Sequence, residues 1–240
     1  MSVGLPRSAQ SPRTNFFHWW LLCCIMWRYL WPRCIAHWAV STDLKPSANY
    51  KKAASRGQRM LTLIKIAFKF LQPSVLCMLY KAFVRLLLEY CCSDWCPFYV
   101  KDVDVLERVQ RRMTRLLPEL QHLSYEERLQ YFHLTTLKTR GLRYDLICVY
   151  RMLLKGLMSV DQSLFFTLSS RISRSNSLKL NVKFSRLDMR HHFFSHRIVS
   201  TWNDQPKSCV EAQSVNSFKR ELDVYLLECG FHWLVFLLFL

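Results

Sequence analysis

The sequence predicts a mainly α protein: a helical array with one short β-strand or hairpin and hydrophobic, irregular ends. Three observations carry this. Apolar residues through the middle of the chain recur at steps of three and four, the period that keeps side chains on one face of a helix. Only 5 of 240 residues are glycine, too few for a turn-dense β sandwich or a glycine-rich phosphate loop. Strict alternation of apolar and polar residues occurs once, at residues 178–184. Hydrophobic residues make up 51% of the chain, ample for a core and far from the composition of a disordered basic tail.

The first helix read by periodicity follows the Gln72, Pro73, Ser74 punctuation, with Leu76, Leu79, Phe83, Leu87 and Tyr90 at helical spacing and Pro97 closing the segment. The second, over residues 101–117, carries Leu106, Val109, Met113 and Leu116 at steps of three, four and three, and Pro118 ends it. Ser124 and Glu127 then have the spacing of a capping box, each side chain satisfying a free backbone N–H, with Leu129 and Phe132 facing inward. Leu142, Leu146, Val149 and Leu153 form the next amphipathic face, stopped at Gly156, where a left-handed residue is easily accepted. Residues 169–176 (SSRISRSN) read as an exposed loop. Leu178, Leu180, Val182 and Phe184, separated by Lys179, Asn181 and Lys183, have the period of a half-buried strand with a basic outer face. Two further helices follow, one carrying Phe194, Ile198 and Trp202, the other starting near Ser214 with Val215, Phe218, Leu222 and Tyr225, with a Pro206 loop between them.

These segments divide the chain into residues 1–40, a hydrophobic N-terminal extension; 41–160, a basic helical region; 161–227, a strand and helices; and 228–240, an apolar tail. The twelve-residue run at 16–27 (FFHWWLLCCIMW), behind Arg7 and Arg13, has the outline of a signal peptide. Against that stand His18 and the tryptophans inside it, Arg28 and Arg33 behind it, and no small-x-small cleavage site. Neither this run nor FHWLVFLLFL at 231–240 reaches the length of about 20 apolar residues that a membrane-spanning helix needs.

Charge points to a partner. Lys and Arg total 34 against 17 Asp and Glu, a net +17, which favours phosphate-rich polymers or anionic membrane. On the helix at 101–117 the apolar stripe directs Arg108, Arg111, Arg112 and Arg115 largely outward, with Glu107, four residues before Arg111, as the local acid. Lys51, Lys52, Arg56 and Arg59 form a second basic cluster. Arginine forks suit phosphate oxygens and position a backbone without reading sequence. The plain alternative for either cluster is a solvated helix face.

Read in order, residues 41–65 (STDLKPSANYKKAASRGQRMLTLIK), 79–90 (LYKAFVRLLLEY), 95–120 (WCPFYVKDVDVLERVQRRMTRLLPEL), 123–130 (LSYEERLQ), 193–206 (FFSHRIVSTWNDQP) and 214–226 (SVNSFKRELDVYL) resemble one family. It is the C-terminal, thumb and post-thumb part of the reverse transcriptase of non-LTR retrotransposons, the jockey-like long interspersed elements. The resemblance implies a region that helps hold RNA template and primed DNA, with the backbone of either as partner and the polymerase palm domain missing. It does not imply catalysis. Such polymerases clamp two metal ions with palm carboxylates, typically an aromatic-x-Asp-Asp turn, and this chain has no Asp-Asp pair. The chain also departs from the family's pattern: Leu86 stands where Pro is usual after Val84 and Arg85, and Tyr144 stands in the Arg140 to Leu146 segment where Gly is usual. Gly141, inside the same predicted helix, costs up to about 1 kcal/mol by propensity.

No cofactor is implied. Cys91, Cys92 and Cys96 lack the second short-spaced pair that structural zinc requires. His192 and His196 share a helix face, but Phe193 occupies the place of the metalloprotease glutamate. Ten cysteines, irregularly spaced with two vicinal pairs, read as reduced intracellular thiols. Trp95, Phe98 and Tyr99 are candidates for base stacking, against core anchoring beside Pro97; Trp202 reads as core. The expected product is therefore a non-catalytic, cytoplasmic or nuclear, sequence-independent nucleic-acid binder. Two readings stand beside it: a membrane-associated or secreted product whose apolar ends associate weakly with lipid, and a decayed retroelement relic without a selected function.

Overall fold

A computed structural model describes residues 46–68, 70–90, 97, 99–154, 163, 165–169, 178–186 and 188–229. The chain divides into two compact units, residues 1–45 and Pro46–Leu240, and the second holds all of these residues. They are mainly α-helical, as predicted. The apolar run at 16–27, the tail from 230 onward, Gly156 and most of the 169–176 loop lie outside the described residues.

Helix α1 spans Pro46–Ala67 and opens on a proline, whose fixed φ and absent N–H suit the first helical position. Its buried stripe is Tyr50, Ala53, Ala54, Gly57, Met60, Leu61 and Ile64. Periodicity of large apolar residues does not reveal this helix, because three of the seven residues on its inner face are Ala or Gly. Those small residues bring neighbours close: a Cβ on Gly57 would meet Leu88 Cδ2 and Val109 Cγ1, each at 3.1 Å.

Helices α2 (Pro73–Leu79) and α3 (Arg85–Glu89) are joined by a π-helical turn at Tyr80–Val84, closed by Arg85 N–H donating to Tyr80 O. The turn corrects the predicted face. Leu76 and Leu79 are buried as expected, but Phe83 and Leu87 are only half-buried and Tyr90 is exposed, while Tyr80, Val84 and Leu88 face the core. An i→i+5 turn holds one residue more than an α turn, so everything after it rotates by one position.

Helix α4 (Val100–Thr114) buries Leu106, Val109 and Met113, whereas Leu116 lies past its end and is half-buried; Leu117 is buried in its stead. A 3-10 turn at Pro118–Leu120 leads to α5 (Tyr125–Tyr131). Its capping box is formed: Glu127 N–H donates to Ser124 Oγ at 3.3 Å and Ser124 N–H to Glu127 Oε2 at 2.7 Å. The Ser124 backbone bond holds the Glu127 carboxyl below its ordinary range. Leu129 and Phe132 are buried.

Helix α6 (Leu137–Leu153) starts earlier than its apolar spacing suggests, because Thr136 caps it through Thr139 N–H at 3.2 Å. Leu146 and Val149 are fully buried, Leu142 and Leu153 partly. Its C-terminal half joins a core with α8 (Phe194–Asn203), α9 (Lys207–Val210) and α10 (Val215–Glu228), in which Ile198, Trp202, Phe218, Leu222 and Leu226 are buried. Tyr150 stacks on Phe218 with centroids 4.1 Å apart. Bidentate Arg143 to Asp223 bonds of 2.5 and 2.8 Å tie α6 to α10, and Arg197 to Asp145 bonds of 3.1 and 2.8 Å tie α8 to α6. A further single turn, α7, covers Asp188–His191.

The predicted strand is reduced to one antiparallel bridge, Leu168 to Leu180. Leu180 is buried and Leu178 partly so, but Val182 is 76% and Phe184 89% exposed. The reason is on the other edge of Leu180, where no second strand lies among the described residues. There the Asn203 side chain accepts from Leu180 N–H and donates to Leu180 O, both at 2.9 Å, and Trp202 Nε1 donates to Leu178 O at 2.9 Å. Helix α8 thus bonds the backbone of Leu178 and Leu180 on that edge, and no ladder among the described residues continues it outward. No helix among the described residues is long and apolar enough to cross a membrane.

Candidate nucleic-acid interface

Helix α4 turns about 100° per residue, so its arginines fan out in three directions. Arg108 and Arg115, seven residues apart, lie on one outward line with Lys101 and are exposed. Among the described residues neither side chain forms an ion pair or hydrogen bond. Arg112 leans toward α1, where its guanidinium donates to Gln58 Oε1 and, at 3.2 Å, to Thr62 Oγ1. Arg111 turns to the opposite side, with its guanidinium carbon 5.2 Å from the centre of the Tyr125 ring.

Arg111 does not pair with Glu107, as its i+4 spacing suggests. Its acid is Asp104, at 3.6 Å with both side chains about 40% exposed, a pair screened by water and weak in consequence. Glu107 is buried instead. Tyr125 Oη donates to it, Leu137 N–H donates to its second oxygen at 3.1 Å, and the Gln110 amide lies at 3.4 Å. Gln110 itself accepts from Tyr80 Oη at 2.5 Å and donates to Thr135 O at 2.9 Å. Burial pushes the Glu107 carboxyl above the usual carboxylate range, against the opposing pull of the Tyr125 and Leu137 bonds. Burial likewise pushes up the hydroxyls of Tyr80 and Tyr125. This network holds four elements in register beneath the arginines: the π turn, α4, α5 and the start of α6.

Below the surface cations lies a buried one. Arg128 is 2% exposed, donates to Thr114 Oγ1 at 3.1 Å and to Leu123 O, and sits 5.8 Å from the same Tyr125 ring. Burial, with Arg115 nearby, draws its guanidinium below the ordinary arginine value. Arg128 thus adds a buried cation near Arg115 at the end of α4, with Glu126 and Glu127 as the acids acting on it.

On α1, Lys51, Gln58, Thr62 and Lys65 fall on the edge that Arg112 reaches, since steps of seven, four and three residues keep them within a narrow arc. Lys52 and Arg59 occupy the outward crest, exposed like Lys51. Arg56 is two residues from Gln58, so it emerges on the far flank, half-buried. The fold thus gathers Arg108, Arg112 and Arg115 with Lys51, Lys52 and Arg59 on the outer faces of α4 and α1, and sets Arg111 and Arg56 on the two flanks. Gln58, Thr62 and Tyr125, which orient Arg112 and Arg111, are the residues that sequence reasoning missed. The Gln58 and Thr62 pair at i and i+4 was the only available signal.

Of the stacking candidates, Trp95 and Phe98 lie outside the described residues, and Tyr99 is 47% exposed with Lys101 Nζ 5.0 Å from its ring centre. Trp202 is wholly buried. His192 and His196 belong to no cluster of three or more metal-binding side chains among the described residues; Cys91, Cys92 and Cys96 lie outside them. Cys77, Cys148, Cys209 and Cys229 are in no disulfide. Comparison with known protein families, with curated proteins and with solved structures finds no match to this chain.

Proposed function

We propose that the chain is a non-catalytic fragment of a non-LTR retrotransposon reverse transcriptase that binds RNA or DNA backbone without reading sequence, through the joined outer faces of α1 and α4. The observation that carries this is Arg108 and Arg115 standing exposed, without a carboxylate among the described residues, beside Lys51, Lys52 and Arg59 on the packed neighbour. Guanidinium groups left free of acids have phosphate oxygens as their strongest available partners. Arg112 and Arg111, fixed by Gln58, Thr62 and Tyr125, flank that surface as oriented donors. In the parent protein the missing palm domain would supply the chemistry and this region the grip.

The test is affinity for a short RNA and for DNA of unrelated sequence, measured by anisotropy across a salt series. Counterion release makes the logarithm of affinity fall linearly with the logarithm of salt. The reading expects similar affinities for unrelated sequences and a steep common slope. A flat salt response, or no binding at low salt, overturns it.

A further inference from the structure

We infer that Phe184, flanked by Lys183 and Arg186, is a stacking post for an unpaired base of single-stranded nucleic acid, an inference that rests on the proposed function above. Phe184 is 89% exposed; a single exposed apolar residue is ordinary, and Phe70 is 86% exposed, so what marks Phe184 out is the anchored segment that carries it and the exposed cations next to it in the chain. It is not at the end of a loose chain. Four residues earlier, Leu180 is held on one side by both bonds of the Asn203 amide, and Asn181 N–H donates to Thr167 O at 2.8 Å on the other. Residues 181–185 leave this anchor without helix or ladder, carrying Val182, at 76% exposure, and Phe184 outward.

The surroundings select the occupant. Lys183 and Arg186 are exposed, and residues 178–187 (LKLNVKFSRL) contain no acid. An exposed ring with exposed cations one and two residues away along the chain matches a nucleotide, whose base offers a π face and whose flanking phosphates offer charge. Stacking of this kind tolerates any base, as a binder without sequence preference requires. A lipid surface would call for a broader apolar patch around the ring than one valine.

The experiment compares the full chain with F184A and F184W on a short single-stranded RNA carrying 2-aminopurine and on its duplex. F184A is expected to weaken single-strand binding roughly 5- to 100-fold, the range measured for loss of one aromatic–base stack, and to leave duplex binding and the salt slope unchanged. F184W is expected to retain affinity and to quench 2-aminopurine. Equal single-strand affinity of F184A and the unaltered chain overturns the inference, as does an equal loss on duplex. So does loss of sedimentation with phosphatidylserine vesicles while RNA affinity stays intact. If F184A is silent while removal of Arg108 and Arg115 lowers the salt slope, this inference fails and the function stands; if the unaltered chain binds neither RNA, both fail.

Discussion

Replacing Arg108 and Arg115 together by glutamine should lower the salt dependence of nucleic-acid binding by a calculable amount while leaving the fold intact. Both side chains are exposed and make no bond among the described residues, so the stability change should stay within about 0.5 kcal/mol. Each phosphate neutralised on a single strand contributes about 0.7 to the slope of log affinity against log salt. Losing two contacts therefore removes about 1.4 from the slope. Between 50 and 200 mM salt, a fourfold change, the ratio of dissociation constants should shrink about sevenfold relative to the unaltered chain. The double change R111Q/R112Q should reduce the slope less, because Arg111 already faces Asp104 and Tyr125, and Arg112 already donates to Gln58 and Thr62. Anisotropy titrations at four or five salt concentrations, with circular dichroism to confirm helix content, decide the matter. An unchanged slope in R108Q/R115Q, or a larger loss in R111Q/R112Q, would refute the assignment of free phosphate donors to the outward line of α4.

The buried ion pair between α6 and α10 gives a second expectation. R143M should cost about 3–5 kcal/mol in urea unfolding by stranding the Asp223 carboxylate, which is 4% exposed, whereas R143M/D223L should recover most of the loss; a double change as damaging as the single one would sink the argument. At the α1 seam, G57V should destabilise by about 1–3 kcal/mol, because its Cβ alone would stand 3.1 Å from Leu88 and Val109 and its methyls must displace them, and a melting temperature at or above that of the parent would contradict this. Cys209 is fully buried and its thiol is pushed up to about 12, chiefly by burial. The unfolded chain releases that proton first, near pH 8.5, so the folded state holds more protons above that pH and stability falls as pH rises toward about 12. C209A should flatten this alkaline decline in urea midpoints, and an identical decline in both proteins would show that the thiol is not responsible.

Large apolar residues at unbroken helical spacing made most helices legible from sequence, and the polar signals at Ser124, Glu127 and Ser214 marked where two of them begin. The failures have separate causes. Helix α1 was hidden because Ala53, Ala54 and Gly57 form its inner face, and small residues carry little periodic contrast. Helical spacing places Phe83 and Leu87 inward because no sequence pattern announces a π turn. Alternation places Val182 and Phe184 on a buried face because it cannot tell a strand with neighbours from a segment bonded by an asparagine side chain. At the interface the charged residues were readable. Their division into free and engaged was not, since it depends on Gln58, Thr62 and Tyr125 arriving from other helices.

Helix α6 belongs to two neighbourhoods at once: its first N–H, that of Leu137, meets the Glu107 carboxylate, and its last turns lie against Tyr150's partner Phe218 and the Trp202 cluster. The described helices consequently offer no clean place for a cut on either side of α6. A shortened product stopping before residue 137 would forfeit the donor that quiets an acid in the remaining half, and a product starting after 153 would leave Trp202 without its wall. Melting of either half should drag the other with it, so that probes placed at opposite ends report one shared transition.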